Sequence, residues 1–322
     1  MKQIIFLLFP GFEILDFSGP LQTFAEARNK GCDLKMAYCS WQKEISASQE
    51  VFIHRLNHFS EIDLQNDDMI MIPGIEHQVY AGNGLDKIPE EVFSWLNRAR
   101  HKGVQLCSIC SGAFVLARAG LLDGRECTTH WSRTDELQKT YPQTRVKADC
   151  LFVHDDGIYT SAGITAGIDL SLALVEKNWG PCVAAQVAKE LVVYIRRNSD
   201  HLQKSVYLDF RDHFDPGIHK VQDWLISHPD ETSTIEALAG RFGMSERNLT
   251  RLFKKATGIT IKQYTTLIHL EYAKNLLQNP GNTIETAALQ SGFHDARQLR
   301  RMWKSHFGTS PSQNRSKAGR SR

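Results

Sequence analysis

The chain has 322 residues, 42% of them hydrophobic, and a net charge of +2. That length is long for one domain and sufficient for two with sizeable cores. The seven cysteines are an odd number without disulfide-framework spacing, which excludes a stapled secreted module and suits a reducing cytosol. The small net charge conceals an asymmetry. From Gly217 onward there are 16 Lys and Arg against eight Asp and Glu, a net of +8, which leaves −6 for the residues up to Pro216. A basic tail on an acidic body is the pattern of a nucleic-acid reader joined to something else.

The first two-thirds of the chain alternates strands and helices. Residues 4–9 read as a buried strand. They resemble a signal peptide only superficially, because the apolar run is short and Pro10, Gly11, Glu13 and Asp16 interrupt it. A helix is predicted over 18–30 after a Gly-Pro turn, with strands at 33–39 and 68–72. A helix at 90–102 precedes a strand at 104–109, and a helix of small residues follows at 111–119. Asp155-Asp156-Gly157 is a hairpin turn between strands at 151–153 and 158–161. Helices are predicted over 167–178 and 183–197. Such alternation implies a mostly parallel sheet with helices on both faces. No segment is long enough to span a bilayer.

Residues 198–217 are polar and read as a joint, with a helical turn or two over 206–214. From there the pattern is all helix: 218–227, 235–242, 246–256, 261–277, 284–291 and 296–307. Two of these stretches repeat one design about 50 residues apart by counting Ser245 to Asp295. Each is a short apolar helix, a glycine turn, a capping residue and a basic helix closed by glycine. Ser245, Asp295 and Thr283 stand where N-caps belong, and Gly258 and Gly308 where C-caps belong. Leu249, Leu252 and Phe253 face a core at helical spacing, as do Leu299, Met302, Trp303 and Phe307. That turns Arg247, Asn248, Thr250 and Arg251 outward on one helix, and Arg297, Gln298, Arg300 and Arg301 on the other. Arg reads guanine edges, and Asn and Gln read adenine. Lys254, Lys255 and Lys304 suit phosphates better than bases. The plainer reading of one basic helix is a solvated face; two with the same framing favour a helix-turn-helix written twice.

This region resembles the AraC/XylS family of transcriptional regulators. The likeness is carried by Leu238-Ala239, Met244-Ser245, Leu249, Phe253-Lys254, Gly258, Leu270-Glu271, Gly292-Phe293, Phe307-Gly308, Ser310-Pro311 and Arg315. It implies two helix-turn-helix units bridged by a rigid helix. His269 departs from the family's usual Arg, Trp303 from its usual Phe, and Gln290-Ser291 precede the Gly-Phe pair.

A second signal lies at Cys107-Ser108-Ile109-Cys110-Ser111-Gly112, where an apolar strand meets a small-residue helix. A side chain on that turn projects over the carboxyl edge of the sheet, where open α/β folds bind ligands. The helix N-terminus would favour thiolate and offer N–H groups to an anion. Cys107-x-x-Cys110 has no second pair at zinc spacing, so neither a metal nor any other cofactor is expected. A lone cysteine at such a turn is otherwise a packing residue. With Thr128-Thr129-His130-Trp131, Leu15-Asp16, Pro73-Gly74 and Gly163 through Asp169, the region resembles the ThiJ/PfpI, class I glutamine amidotransferase-like superfamily, including its isocyanide hydratases. The resemblance implies a flavodoxin-like fold, with Cys110 at a nucleophile elbow. Asp16, Gly74, Ile75, Cys110, Ser111 and His130 are the expected ligand-binding residues. Asp16 and His130 would be the thiol's catalytic partners were there turnover, but Asp16 could instead cap the helix over 18–30, and His130 could be structural. Glu13 has the residue type that protonates against the thiol in some superfamily members. Ile75 stands where a second glycine is often found; its N–H would be an oxyanion donor, and its side chain tilts the reading toward sensing.

The combined reading is a DNA-binding regulator, not an enzyme: an effector domain over 1–197, a linker over 198–217, a double helix-turn-helix domain over 218–315 and a disordered tail over 316–322. Expected partners are double-stranded operator DNA, a small nitrogen-containing effector, a second copy of the chain and, for an activator, RNA polymerase. No membrane partner is expected; the expected location is a bacterial-type cytoplasm, at the nucleoid. The alternatives are a cysteine-based redox sensor and a cysteine-dependent hydratase or amidase fused to a DNA-binding domain.

Overall fold

From Ile4 to Leu7 every side chain is closed off from solvent, as a strand covered on both faces requires. The computed structural model describes residues 2–81, 84–193, 196–197, 199, 203, 205–229, 234–277, 279 and 281–312. The chain divides into two compact units, Met1–Gln203 and Lys204–Arg322.

In the first unit, β1 (Lys2–Leu7) is followed by α1 (Ile14–Asn29), β2 (Leu34–Ser40), a hairpin of β3 (Glu44–Ser46) and β4 (Phe52–His54), and the edge strand β5 (Asn57–His58). Next come β6 (Met69–Ile72), the short α2 (His77–Tyr80), α3 (Glu90–His101), β7 (Gln105–Ile109) and α4 (Gly112–Arg118). A small parallel pair, β8 (Glu126–Cys127) and β9 (Arg145–Val146), encloses α5 (Thr134–Thr140). The hairpin β10 (Phe152–Asp155) and β11 (Ile158–Ser161) then leads to α6 (Thr165–Trp179) and α7 (Pro181–Glu190). The main sheet runs β10-β11-β7-β6-β1-β2-β5, parallel except for β10 on β11. Helices cover both of its faces, a flavodoxin-like arrangement, with α1, α6 and α7 packed on one another and α3 on α4. Because β2 and β6 flank β1 from opposite sides, the order reverses there, and the carboxyl ends of β1, β6, β7 and β11 share one edge.

Two helices differ from the sequence reading. The first begins at Ile14 rather than 18, with Gly19-Pro20 inside it. That pair serves packing, not a turn: a methyl group on Gly19 would lie 2.9 Å from Ile168 of α6, and Pro20 lies against Gly167. The helix expected over 183–197 ends at Glu190, and Val192 takes a left-handed φ of 55°. Residues 194 and 195 of that expectation lie outside the described residues.

The second unit is helical: α8 (Pro216–Ser227), α9 (Ile235–Arg241), α10 (Glu246–Thr257), α11 (Ile261–Leu277), α12 (Ile284–Gln290) and α13 (Ala296–Phe307). Pro216 opens α8 rather than breaking the chain, and Asp215 caps it by accepting from the Gly217 and Ile218 N–H groups. Val206, Tyr207 and Phe210, from the stretch read as a joint, pack on the core of this unit. Its apolar interior has two parts that share α11. Leu238, Leu249, Phe253 and Tyr264 belong to one; Ala273, Ala287, Leu299 and Trp303 belong to the other. His269 lies buried against Phe293 and Gly292, and burial pushes it down to about 4, so it packs there as a neutral ring. Arg315 and the tail expected over 316–322 lie outside the described residues.

Ser245 Oγ accepts from the Asn248 N–H, Asp295 Oδ1 from the Gln298 N–H and Thr283 Oγ1 from the Thr286 N–H, while Gly258 and Gly308 close the basic helices in left-handed geometry. Ser245→Ala and Asp295→Ala are each expected to lower the stability of the helical unit by about 1 kcal/mol, and Ser245→Asp to retain it. Urea denaturation followed by circular dichroism measures this; two alanine variants as stable as wild type would remove the caps from the account.

Candidate functional site

The chain turns sharply between β7 and α4, and Cys110 takes the turn at φ 53°. Such a conformation costs on the order of 1–3 kcal/mol and persists only where its surroundings enforce it. Here glycines do so. A methyl group on Gly163 would lie 2.3 Å from the Cys110 β-carbon, and one on Gly74 would lie 2.2 Å from Asp16 Oδ2 and 3.0 Å from that same β-carbon. One on Gly112 would lie 2.4 Å from the Ile72 carbonyl oxygen. Only hydrogen at these positions lets the loops after β6 and β11 close on the cysteine.

Asp16, in the first turn of α1, does not cap that helix. Its Oδ1 accepts the Ile164 N–H at 2.5 Å, across from the start of α6. Ile164 itself is β-branched and held at φ 48°, ψ −113°, a second strained position next to Gly163, which packs on the first. Asp16 Oδ2 is closed off from solvent and receives no well-formed hydrogen bond. Burial, and then the Glu13 charge, raise Asp16 to about 6 against the pull of its backbone bonds. Cys110 is pushed well above the ordinary thiol range by burial and by the charges of Asp16 and Glu13; the Ser111 N–H opposes this and loses. The thiolate expected from a helix N-terminus is therefore not favoured here. The pair resists holding two negative charges, and the one it holds at neutral pH belongs on the carboxylate.

The remaining sequence-predicted residues are placed as follows. Ser111 Oγ donates to the Ile75 carbonyl at 2.7 Å and accepts the Ile75 N–H at 2.8 Å. The N–H expected as an oxyanion donor is thus already engaged, and Ile75 is buried. Glu13 turns toward the β3–β4 hairpin, where its Oε2 accepts from Ser48 Oγ at 2.9 Å and Gln49 Nε2 at 2.7 Å. His130 Nδ1 shares a proton with Ser132 Oγ at 2.8 Å, and burial lowers its basicity. Its neighbour Thr129 reaches the turn instead, donating to the Cys110 carbonyl at 2.8 Å. Sequence reasoning passed over Thr129, Gly163 and Ile164 as site residues, although all three stand inside the runs that drew attention to the region.

On α10, Arg247, Arg251 and Lys254 are exposed, Asn248 and Thr250 half-buried, and Arg251 donates to Asn248 Oδ1 at 3.0 Å. On α13, Arg297, Arg300 and Arg301 are exposed. Arg300 pairs with Glu285 of α12 at 2.9 Å, and Gln298 Oε1 accepts the His294 N–H at 2.8 Å. The buried sides are Leu249 and Phe253 on α10, and Leu299 and Trp303 on α13. Both helices therefore present cations on the side away from their cores.

Burial raises Asp16 above its unfolded value, so its proton stabilises the fold: the contribution is complete below about pH 4 and lost as pH rises through about 6. Asp16→Asn keeps an acceptor for Ile164 and carries no charge. Its stability relative to wild type is expected to increase by up to about 3 kcal/mol between those limits and neutral pH. A difference that stays flat across this window, in denaturant titrations at several pH values, would show that Asp16 ionises like a solvated carboxylate.

The DJ-1/PfpI family model matches residues 2–177, and a helix-turn-helix domain model matches residues 238–317. The HTH-type transcriptional regulator CdhR of Pseudomonas aeruginosa is 29% identical over 313 residues, 96% of this chain and 90% of that protein. The isonitrile hydratase of Pseudomonas putida is 30% identical over 189 residues, 59% of this chain and 77% of the hydratase. Among solved structures, a ThiJ/PfpI family protein from Pseudomonas syringae superposes with a TM-score of 0.52 at 19% identity, covering 83% of this chain and 90% of that one. An AraC family transcriptional regulator from Pseudomonas putida gives 0.51 at 22% identity, covering 59% of this chain and 100% of that one. At those identities the likeness concerns the fold. The chain belongs to the DJ-1/PfpI family and is a transcriptional regulator in which that domain is joined to an AraC-type helix-turn-helix DNA-binding domain.

Proposed function

We propose that this regulator reads operator DNA through α10 and α13 and is tuned by a small metabolite bound, but not turned over, at the Cys110 turn. The effector domain spans 1–197 and the reader 218–315, and of the joining residues 198–217, Val206, Tyr207 and Phe210 pack with the reader. Arg247, Asn248, Thr250 and Arg251 on α10, and Arg297, Gln298, Arg300 and Arg301 on α13, face DNA, with Lys254 on a phosphate. The chain works as a homodimer, and in an activating role it also contacts RNA polymerase.

The observation that supports the non-catalytic reading is the Ile75 N–H, the expected oxyanion donor, which Ser111 Oγ already accepts at 2.8 Å. A cysteine nucleophile needs a thiolate or a base within reach. Burial and two carboxylates disfavour the Cys110 thiolate, and His130 is engaged by Ser132, which leaves Asp16 as the base beside the thiol. Cys110 is half-buried, and its disfavoured thiolate weighs against redox sensing, since oxidation follows thiolate character and exposure. The charges acting most strongly on Cys110 are those of Asp16 and Glu13. They favour a ligand that brings N–H donors or positive charge, and so a nitrogen-containing metabolite.

Promoter fragments titrated with the full chain test the reading half. Affinity is expected to fall steeply and log-linearly with salt as phosphate counterions are released. Arg251→Ala and Arg301→Ala are each expected to weaken specific binding by about 1–3 kcal/mol; full affinity in both variants would take them out of the interface. A thermal-shift screen of amines, amino acids and betaines tests the sensing half. A compound that stabilises both wild type and Cys110→Ala is the expected result. A compound consumed by wild type and spared by Cys110→Ala would make the domain an enzyme.

A further inference from the structure

The two halves of the helical unit share a framework but not a charge pattern. Glu236 of α9 and Glu285 of α12 hold matching places, each the second residue after its capping threonine. Thr250 of α10 and Arg300 of α13 also match, each the fifth residue after its cap, Ser245 or Asp295. An ion pair between these two places is therefore open to the second half alone, since threonine carries no charge. It is formed there: Arg300 donates from a terminal nitrogen to Glu285 Oε1 at 2.9 Å, across the turn that joins α12 to α13.

Both residues are exposed, and exposed pairs add little stability. The place of the pair is more informative. Arg297, Arg300 and Arg301 follow one another at helical spacing on the side of α13 away from Leu299 and Trp303. A lone carboxylate beside such a row opposes binding to phosphates, so its value lies in what it does to Arg300. The Glu285 carboxyl is held below its ordinary range by its own backbone N–H and then by Arg300, so it is an anion at neutral pH. A guanidinium is a planar fork of five donors. Engaging one terminal nitrogen fixes the plane and leaves donors for the O6 and N7 acceptors of a guanine. On α10 the corresponding restraint is weaker in kind: Arg251 is held by the neutral Asn248, one turn away on its own helix.

We infer that Glu285 is a specificity-determining positioning residue: from α12 it holds the Arg300 guanidinium in one orientation on α13, so that Arg300 reads a guanine at a place where the first half, with Thr250, has no such reader. The inference rests on the reading of DNA by α13 proposed above and adds the residue that sets its base preference. Glu285 itself touches no base. It accepts from Arg300 and, as an anion, disfavours phosphate contacts made without regard to sequence.

The test uses the full-length protein to select duplexes from a randomised DNA library, as wild type and as Arg300→Ala, Glu285→Ala, Glu285→Gln and Glu285→Asp. The wild-type site is expected to contain a guanine whose preference over other bases falls by about fivefold or more in Arg300→Ala. Glu285→Ala is expected to relax that same position, and no other, by about twofold or more. Its affinity for a duplex of unrelated sequence is expected to hold or rise, because an acidic charge is gone. Glu285→Gln, whose amide oxygen still accepts from Arg300, is expected to recover the preference. Glu285→Asp, which keeps the charge on a shorter side chain, is expected to lose it. The Gln and Asp variants both keep a polar side chain at this place, so their contrast stands even if Glu285→Ala loosens α12. Wild-type preference at every position in both Glu285→Ala and Glu285→Asp would overturn the inference. So would a sharper guanine preference in Glu285→Ala, which would make Glu285 a mask over Arg300, and so would an Arg300→Ala site with all positions intact. A wild type that enriches no sequence would instead count against DNA reading itself, on which the inference rests.

Discussion

The hydrogen bond from the Ile164 N–H to Asp16 joins α6 to α1 beside the Cys110 turn, and each participant depends on the others. Asp16 is buried without a counter-ion among the described residues, so its charge depends on backbone donors, of which Ile164 is the stronger. Ile164 lies where β-branched residues rarely go, and the same bond holds it there. Gly74 and Gly163 lack side chains because any carbon at those points would collide with the carboxylate or the cysteine. Burial, and then the carboxylate next to it, push the thiol above its ordinary range.

The helical unit solves a different problem, that of holding two basic helices without a large core. Each relies on a side-chain cap at its start and a left-handed glycine at its end, and both lean on α11, which supplies buried residues to each half. Sharing one long helix fixes the halves against each other. The neutral His269 under the Gly292-Phe293 turn fills the place where a buried Arg would need a partner.

Much of this was legible in the sequence, and what was missed has physical causes. Apolar runs such as Ile70-Met71-Ile72, buried on both faces, mark parallel strands without help from elsewhere. The caps at Ser245 and Asp295 and the glycines at 258 and 308 act locally and read locally. The Gly19-Pro20 pair misled because its role is contact with Ile168 and Gly167, far along the chain, while its local signature is that of a turn. Glu13 was legible as an acid near the thiol, but its partners Ser48 and Gln49 come from a short polar hairpin with no periodicity to reveal it. At Thr129-His130 the titratable histidine drew attention, whereas the hydroxyl beside it makes the contact. Distances of this kind follow from closing the sheet and cannot be read from spacing.

Beside the Cys110 turn, burial opposes ionisation of the thiol more than that of the carboxylate. The ionisation of Cys110 itself tests this most directly. Thiolate ultraviolet absorbance, recorded against pH for the native wild type and for Cys110→Ser, isolates this one group from the other six cysteines. The account predicts no difference between the two proteins at neutral pH, with any Cys110 thiolate emerging only well into the alkaline range. A thiolate signal present in wild type and absent from the variant at neutral pH would contradict it and place the charge on the nucleophile.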